Sequence, residues 1–223
     1  MRIAALHGLP TSPRIWERVT PPIGVEWITP QVPGLGSNGT SSEWTLQGCA
    51  DQLRAKLRDI DAWVGHDLGG VLAAMLAKPG QPVVLSGTAL SLYWWAIRQT
   101  ARPGLQRYFY QRHAGRRFLE HGALPAHREA LVEAFLDHGG DWGDRMCWIA
   151  RGMRPPKGLA SKLSECDVHL FWGRRDPWYP APVVWALRRS TGARVRWFES
   201  GHFVPWEAAD EFSGALEGVS DVR

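Results

Sequence analysis

The chain has 223 residues, 44% of them hydrophobic, with 26 Lys plus Arg against 22 Asp plus Glu. That is one domain's worth of chain with material for a full core; the formal net charge is +4, but the Arg-rich stretch 98–117 has no sustained Lys/Arg block of the kind expected for a nucleic-acid arm, so no nucleic-acid partner is expected. Three cysteines without metal-like spacing read as free thiols in a reducing compartment, and no apolar run approaches the roughly 18 residues needed to span a bilayer.

The chain opens with a short apolar strand, Ile3 to Leu6, ending in the turn His7-Gly8-Leu9-Pro10. So early a turn leaves no room for a signal peptide, which predicts a soluble, cytoplasmic protein without a membrane partner. A helix is expected over Pro13 to Val19, capped by Ser12. A second strand, Val25 to Thr29, leads into the loop Pro33-Gly34-Leu35-Gly36-Ser37. Ser42 is the expected cap of a helix from Glu43 to Asp59, with Leu46, Cys49, Leu53 and Leu57 on one face.

A third strand, Ile60 to Val64, runs into Gly65-His66-Asp67-Leu68-Gly69-Gly70 and a small-residue helix, Val71 to Ala77. Strand, sharp glycine-lined turn and helix form the pattern of a nucleophile elbow, usually G-x-S-x-G. Here Asp67 stands where the serine would be. A fourth strand, Val83 to Ser86, follows.

Strands alternating with helices predict a doubly wound α/β parallel sheet. The alternation stops at Leu90. From there to Leu163 the pattern is helical: Arg102 to Glu120, Ala126 to His138 and Asp144 to Gly152. Residues 91–163 are therefore expected to form a helical lid, or cap, on a core built from residues 1–90 and 164–223. Strands resume at Val168 to Trp172 and Val195 to Phe198, with helices at Ala181 to Arg189 and Glu207 to Leu216.

The last two strands are followed by Gly173-Arg174-Arg175-Asp176-Pro177-Trp178 and Ser200-Gly201-His202-Phe203-Val204-Pro205. All carboxyl-end loops of a parallel sheet open on one edge. Asp67, Asp176 and His202 can thus converge, in the chain order nucleophile, acid, base. An ionised Asp67 can attack an sp3 carbon in line and form an alkyl–enzyme ester. His202 would activate the water that cleaves the ester, and Asp176 would orient His202. The backbone N–H groups of Leu9 and Leu68 are the expected oxyanion donors, since Pro10 has none. His66 and His7 are read as structural. Each motif alone is commonly an ordinary turn; four in the right order at strand ends are not.

His7-Gly8-Leu9-Pro10, Pro33-Gly34-Leu35-Gly36, the Gly65 to Gly70 turn, Gly173 to Pro177 and Gly201 to Pro205 together resemble the α/β-hydrolase fold superfamily. They resemble specifically its aspartate-nucleophile branch of epoxide hydrolases and haloalkane or haloacetate dehalogenases. The resemblance covers residues 1–90 and 165–215. Two further strands usually precede the His-Gly-x-Pro turn in that family, so it implies a trimmed sheet of about six strands. It implies no metal and no organic cofactor.

In the same branch an epoxide needs a lid tyrosine as acid, and the candidates are Tyr93, Tyr108 and Tyr110. Haloalkane dehalogenases use a tryptophan after the nucleophile to hold halide; here that residue is Leu68. The resemblance therefore favours epoxide opening through an Asp67–His202–Asp176 triad. Dehalogenation with the same triad is the alternative, and a non-hydrolytic enzyme or small-molecule-binding protein on the same fold is the second. Trp94 and other tryptophans near the lid (Trp44, Trp95, Trp142, Trp148, Trp178, Trp206) suggest a bulky apolar or aromatic small-molecule substrate, or simply core packing. Arg98 and Arg102 could bind a substrate carboxylate but read better as solvated charge. Oligomeric state stays open.

Overall fold

A computed structural model describes residues 1–35, 42–90, 97–109, 114–136 and 142–220. Six strands, β1 (Arg2–Leu6), β2 (Glu26–Ile28), β3 (Ala62–His66), β4 (Pro82–Ser86), β5 (Asp167–Gly173) and β6 (Arg194–Phe198), form one sheet in the order β2-β1-β3-β4-β5-β6. Every neighbouring pair is parallel. This is the trimmed parallel sheet of about six strands expected from the sequence. The central strands are apolar on both faces because both are covered. Ala4 and Leu6 point into one core with Leu68, Leu72 and Trp172; Ile3 and Ala5 point into the other with Phe203 and Phe212.

The first face carries α1 (Leu46–Lys56) and α2 (Leu68–Leu76). The sequence predicts this helix from Glu43, capped by Ser42, to Asp59, three residues beyond where it ends. The structure starts it at Leu46, where Thr45 Oγ1 accepts from Gly48 N at 3.1 Å. Trp44 is the reason. Its indole is 8% exposed and donates to Pro33 O at 3.1 Å, which ties it to the loop before the helix rather than to the helix itself. The expected helix at Pro13 to Val19 is a single 3-10 turn, Pro13–Trp16, with Ser12 as its cap.

The helical stretch after β4 is more broken than its pattern suggests. It contains α3 (Gln106–Phe109), α4 (Ala114–Gly122), α5 (Arg128–Phe135), α6 (Trp142–Gly152) and α7 (Leu159–Leu163). Pro103-Gly104 forces a turn where one long helix was expected, and Gly104 sits at φ 90°. Leu119, Leu131 and Phe135 pack into the same core as Phe203 and Trp206, so this stretch shares the core beneath it. The helices α8 (Ala181–Thr191), α9 (Val204–Glu207) and α10 (Ala209–Ser220) complete the layers. Among the described residues no helix is long and apolar enough to cross a membrane.

Candidate active site

The strand order reverses direction at β1 and β3, so their carboxyl ends border a crevice. Asp67 sits there, between β3 and α2, at φ 51° and ψ −119°. For a non-glycine residue this backbone costs about 1–3 kcal/mol and persists only where its surroundings enforce it. They do. Asp67 N donates to Ser86 O at 2.9 Å, and Thr88 Oγ1 donates to Asp67 O at 2.7 Å. The glycines flanking the turn are required by close approach. A Cβ on Gly69 would lie 2.0 Å from Leu6 O, and one on Gly8 would lie 2.6 Å from Asp67 Oδ2.

The carboxylate is 4% exposed, and its two oxygens have different surroundings. Oδ2 accepts from Leu9 N at 2.9 Å. Oδ1 lies 4.0 Å from His202 Nε2. Burial raises the Asp67 pKa above the usual carboxylate range, although His202 and the N–H groups of Leu9 and Leu68 pull it back.

His202 is fully buried, and its Nδ1 is 2.9 Å from Asp176 Oδ2. Asp176 is fixed in turn, its Oδ1 accepting from Trp178 N at 2.8 Å and Tyr179 N at 3.1 Å. Burial lowers the His202 pKa, but the Asp176 carboxylate, with Asp67 and Glu207 adding to it, more than offsets this and the net shift is upward. His202 Nε2 is buried without a hydrogen-bond partner among the described residues. Five residues expected at the site from sequence (Asp67, Asp176, His202, Leu9 and Leu68) thus lie together. The His66 ring lies behind His202, 4.8 Å away between centroids and tilted by 57°, and its Nε2 is 3.1 Å from His202 O.

A cavity of about 780 Å³ opens over Asp67. Its walls are mostly apolar and come largely from the helical stretch: Ile97, Phe118, Met146, Ile149 and Met153, with Trp178 and Tyr179 from the Asp176 loop. Tyr108 lies on this wall, at 59% exposure. Tyr93, Tyr110 and Trp94 fall outside the described residues. Trp178 is the one tryptophan among the described cavity-lining residues; Trp44 and Trp206 belong to the cores. Arg117 and Arg128 line the cavity, whereas Arg98 and Arg102 do not. Sequence reasoning missed Tyr179, Phe118 and His121. Tyr179 could have been suspected, because it lies three residues beyond Asp176 in a loop that must reach the crevice.

His7, at the end of β1, shapes the same crevice. Its ring is buried, with Nδ1 3.1 Å from Gly8 O. Nε2 accepts from Val32 N at 3.1 Å, so the Nδ1–H tautomer fits. Burial pushes its pKa down to about 4, against hydrogen bonds to Gly8 and Thr11 that raise it. The unfolded chain takes up this proton near pH 6.5, well before the folded one. Its contribution is therefore complete above pH 6.5 and drains away as pH falls toward 4, by about 3 kcal/mol in total. His66, lowered further by burial, adds in the same sense. Urea midpoints measured from pH 7.5 to 4.5 should fall steeply. A His7→Asn chain should start less stable and lose less; equal acid slopes in the two chains would contradict this account of His7.

Residues 3–215 match the model of an alpha/beta hydrolase family. None of the curated proteins matches the chain. Among solved structures, a thermophilic esterase from Thermogutta terrifontis aligns with TM-score 0.75 at 15% identity, covering 98% of this chain and 88% of that one. An enol-lactonase from Burkholderia xenovorans LB400 aligns with TM-score 0.72 at 16% identity, over 98% and 90%. A hydrolase from Pseudomonas aeruginosa PA01 aligns with TM-score 0.75 at 18% identity, over 99% and 90%. Likeness at these identities speaks for the fold.

Proposed function

Because the chain belongs to the α/β-hydrolase family, matched over residues 3–215, we propose that it hydrolyses an epoxide through a covalent ester on Asp67. One observation carries this reading: the division of labour between the two carboxylate oxygens. Oδ2 already occupies the backbone N–H hole at Leu9, while Oδ1 faces His202 Nε2 across 4.0 Å. A serine hydroxyl in the elbow would leave that hole for the substrate's carbonyl oxygen. A carboxylate that fills it has its own carbonyl prepared as the electrophile of a second step.

In the first step Oδ1 attacks an epoxide carbon, the C–O bond breaks, and the alkoxide takes a proton from a phenol. Tyr108 and Tyr179 supply phenols on the cavity wall. Desolvation makes the Asp67 carboxylate more basic and so a better nucleophile. In the second step His202 removes a proton from water, and the hydroxide adds to Asp67 Cγ. The oxyanion stays on Oδ2, against Leu9 N–H. Collapse expels the alkoxide, which takes the proton from His202; the acid left on Asp67 returns its proton to the phenolate, and a vicinal diol leaves. The helices over Asp67 act as the lid, and the apolar walls suit an apolar or aromatic small molecule.

Dehalogenation is a second reading, favoured by one observation. The indole N–H of the cavity-lining Trp178 is buried without a partner among the described residues, and could hold a leaving halide. Leu68, beside the nucleophile, has no side-chain donor. Single turnover in ¹⁸O-water tests the shared chemistry: one labelled oxygen should enter the Asp67 carboxylate, detectable in the peptide spanning it. An unlabelled Asp67 after turnover would overturn the nucleophile assignment. Diol formation against halide release then separates the two readings.

A further inference from the structure

We propose that Glu207 is a positioning residue for His202, a single carboxylate that clamps the histidine loop and fastens it to the chain leaving α4. This rests on the proposed role of His202 as the base. Glu207 ends the short helix α9, five residues beyond His202. Its Oε1 accepts from Phe203 N at 3.0 Å and its Oε2 from Gly201 N at 3.1 Å. These are the two neighbours of His202 in the chain. The His202 N–H between them donates to Gly122 O, the end of α4, at 2.7 Å. Two residues on, Leu124 N donates to the same Glu207 Oε2 at 2.8 Å.

Three consecutive backbone N–H groups of the catalytic loop are thus all spent on two acceptors, and one of those acceptors also holds the helical stretch over the cavity. Hydrogen bonds to an ionised carboxylate are about twice as strong as neutral ones. The packing leaves no slack. A Cβ on Gly201 would lie 2.3 Å from Gly122 O, and one on Gly122 would lie 2.9 Å from the Phe203 ring. The imidazole must meet Asp176 on one side and the Asp67 ester on the other, so a loop shift of about 1 Å is enough to cost catalysis. Glu207 also adds negative charge near the ring. Among the described residues the charged and titratable groups facing His202 are Asp176, Asp67, His66, Tyr179 and Glu207, and Glu207 acts in the same direction as the two aspartates.

Glu207→Gln and Glu207→Ala chains test this. In the free protein, without substrate, the His202 ring resonance should titrate at lower pH in both variants than in the unaltered chain; His202→Gln identifies the resonance. In turnover, kcat should fall about 10- to 100-fold and KM should fall with it, leaving kcat/KM within about threefold, because only the ester hydrolysis served by His202 slows. Glu207→Gln, which keeps one acceptor oxygen, should retain more kcat than Glu207→Ala. An unchanged titration and unchanged kcat, with only the melting temperature lowered, would overturn the proposal. Amide exchange on the unaltered chain reads the clamp directly. The Gly201, Phe203 and Leu124 amides should exchange slowly and as one unit; fast, independent exchange at Leu124 would overturn the link. The titration and exchange arms need no substrate, so they stand whether or not an epoxide is turned over.

Discussion

A His202→Gln chain mixed with an epoxide that the unaltered chain hydrolyses is expected to gain the mass of that epoxide and stop. The two half-reactions ask different things of the site. Attack by Asp67 Oδ1 needs an ionised carboxylate and a phenol on the cavity wall; His202 helps keep Asp67 ionised but exchanges no proton in this step. Ester hydrolysis needs a base for water, and the group in reach is His202 Nε2, 4.0 Å from Oδ1 and with no other hydrogen-bond partner among the described residues. Losing a general base slows the step it serves by about 10²–10⁴-fold. The expected record is a burst of one equivalent followed by near silence, with the adduct on the peptide containing Asp67. In the unaltered chain the same step should show an acid limb above pH 6.5, because the net shift of His202 is upward and only neutral imidazole accepts the proton. Full turnover by His202→Gln, or no adduct with any epoxide the parent consumes, would sink the covalent route.

The parts of this site that were legible in the sequence are those that backbone geometry dictates. Gly65, Gly69 and Gly70 announce a turn too tight for side chains, and the structure needs them absent: a Cβ on Gly65 would lie 2.4 Å from Gly69 O. Short, mostly apolar runs located the inner strands β1, β3, β4 and β5, because a parallel sheet covered on both faces allows little else there; the edge strands β2 and β6 carry Glu26, Arg194 and Arg196 and are more exposed. The helical stretch was less legible, since its helix ends are set by partners distant in sequence. Trp44 holds α1 back by reaching Pro33 O, and nothing local to Ser42 or Glu43 signals that. Tyr179 was missed although its signal is local. Its place on the cavity wall follows from Asp176 Oδ1 fixing its backbone N–H. Glu207 was read only as the start of the last helix. Its spacing from His202 was visible, but its three N–H partners include Leu124, 83 residues away.

Asp67→Asn should separate what this residue does for chemistry from what it costs the fold. The side chain keeps its shape, and its carbonyl oxygen can still accept from Leu9 N where Oδ2 now does at 2.9 Å. The atom facing His202 becomes an amide nitrogen without a nucleophilic lone pair. Ester formation should therefore vanish, and kcat should drop by about 10⁴-fold or more, the scale seen when a covalent nucleophile is removed. Stability should move the other way. Burial raises the Asp67 pKa, so holding it ionised at neutral pH costs free energy that a neutral amide does not. Its backbone, at φ 51° and ψ −119°, lies outside the left-handed helical region, and asparagine meets the same strain there as aspartate, so that contribution is unchanged. The gain should be about 1 kcal/mol, a rise in melting temperature of about 2–4 °C for a chain of this length. The sign is the decisive readout. If Asp67 were simply a turn residue, its loss would leave turnover intact; if its charge held the elbow together, the variant would melt lower. A chain that is inactive and more stable is the outcome that marks Asp67 as a strained, desolvated group kept for its chemistry.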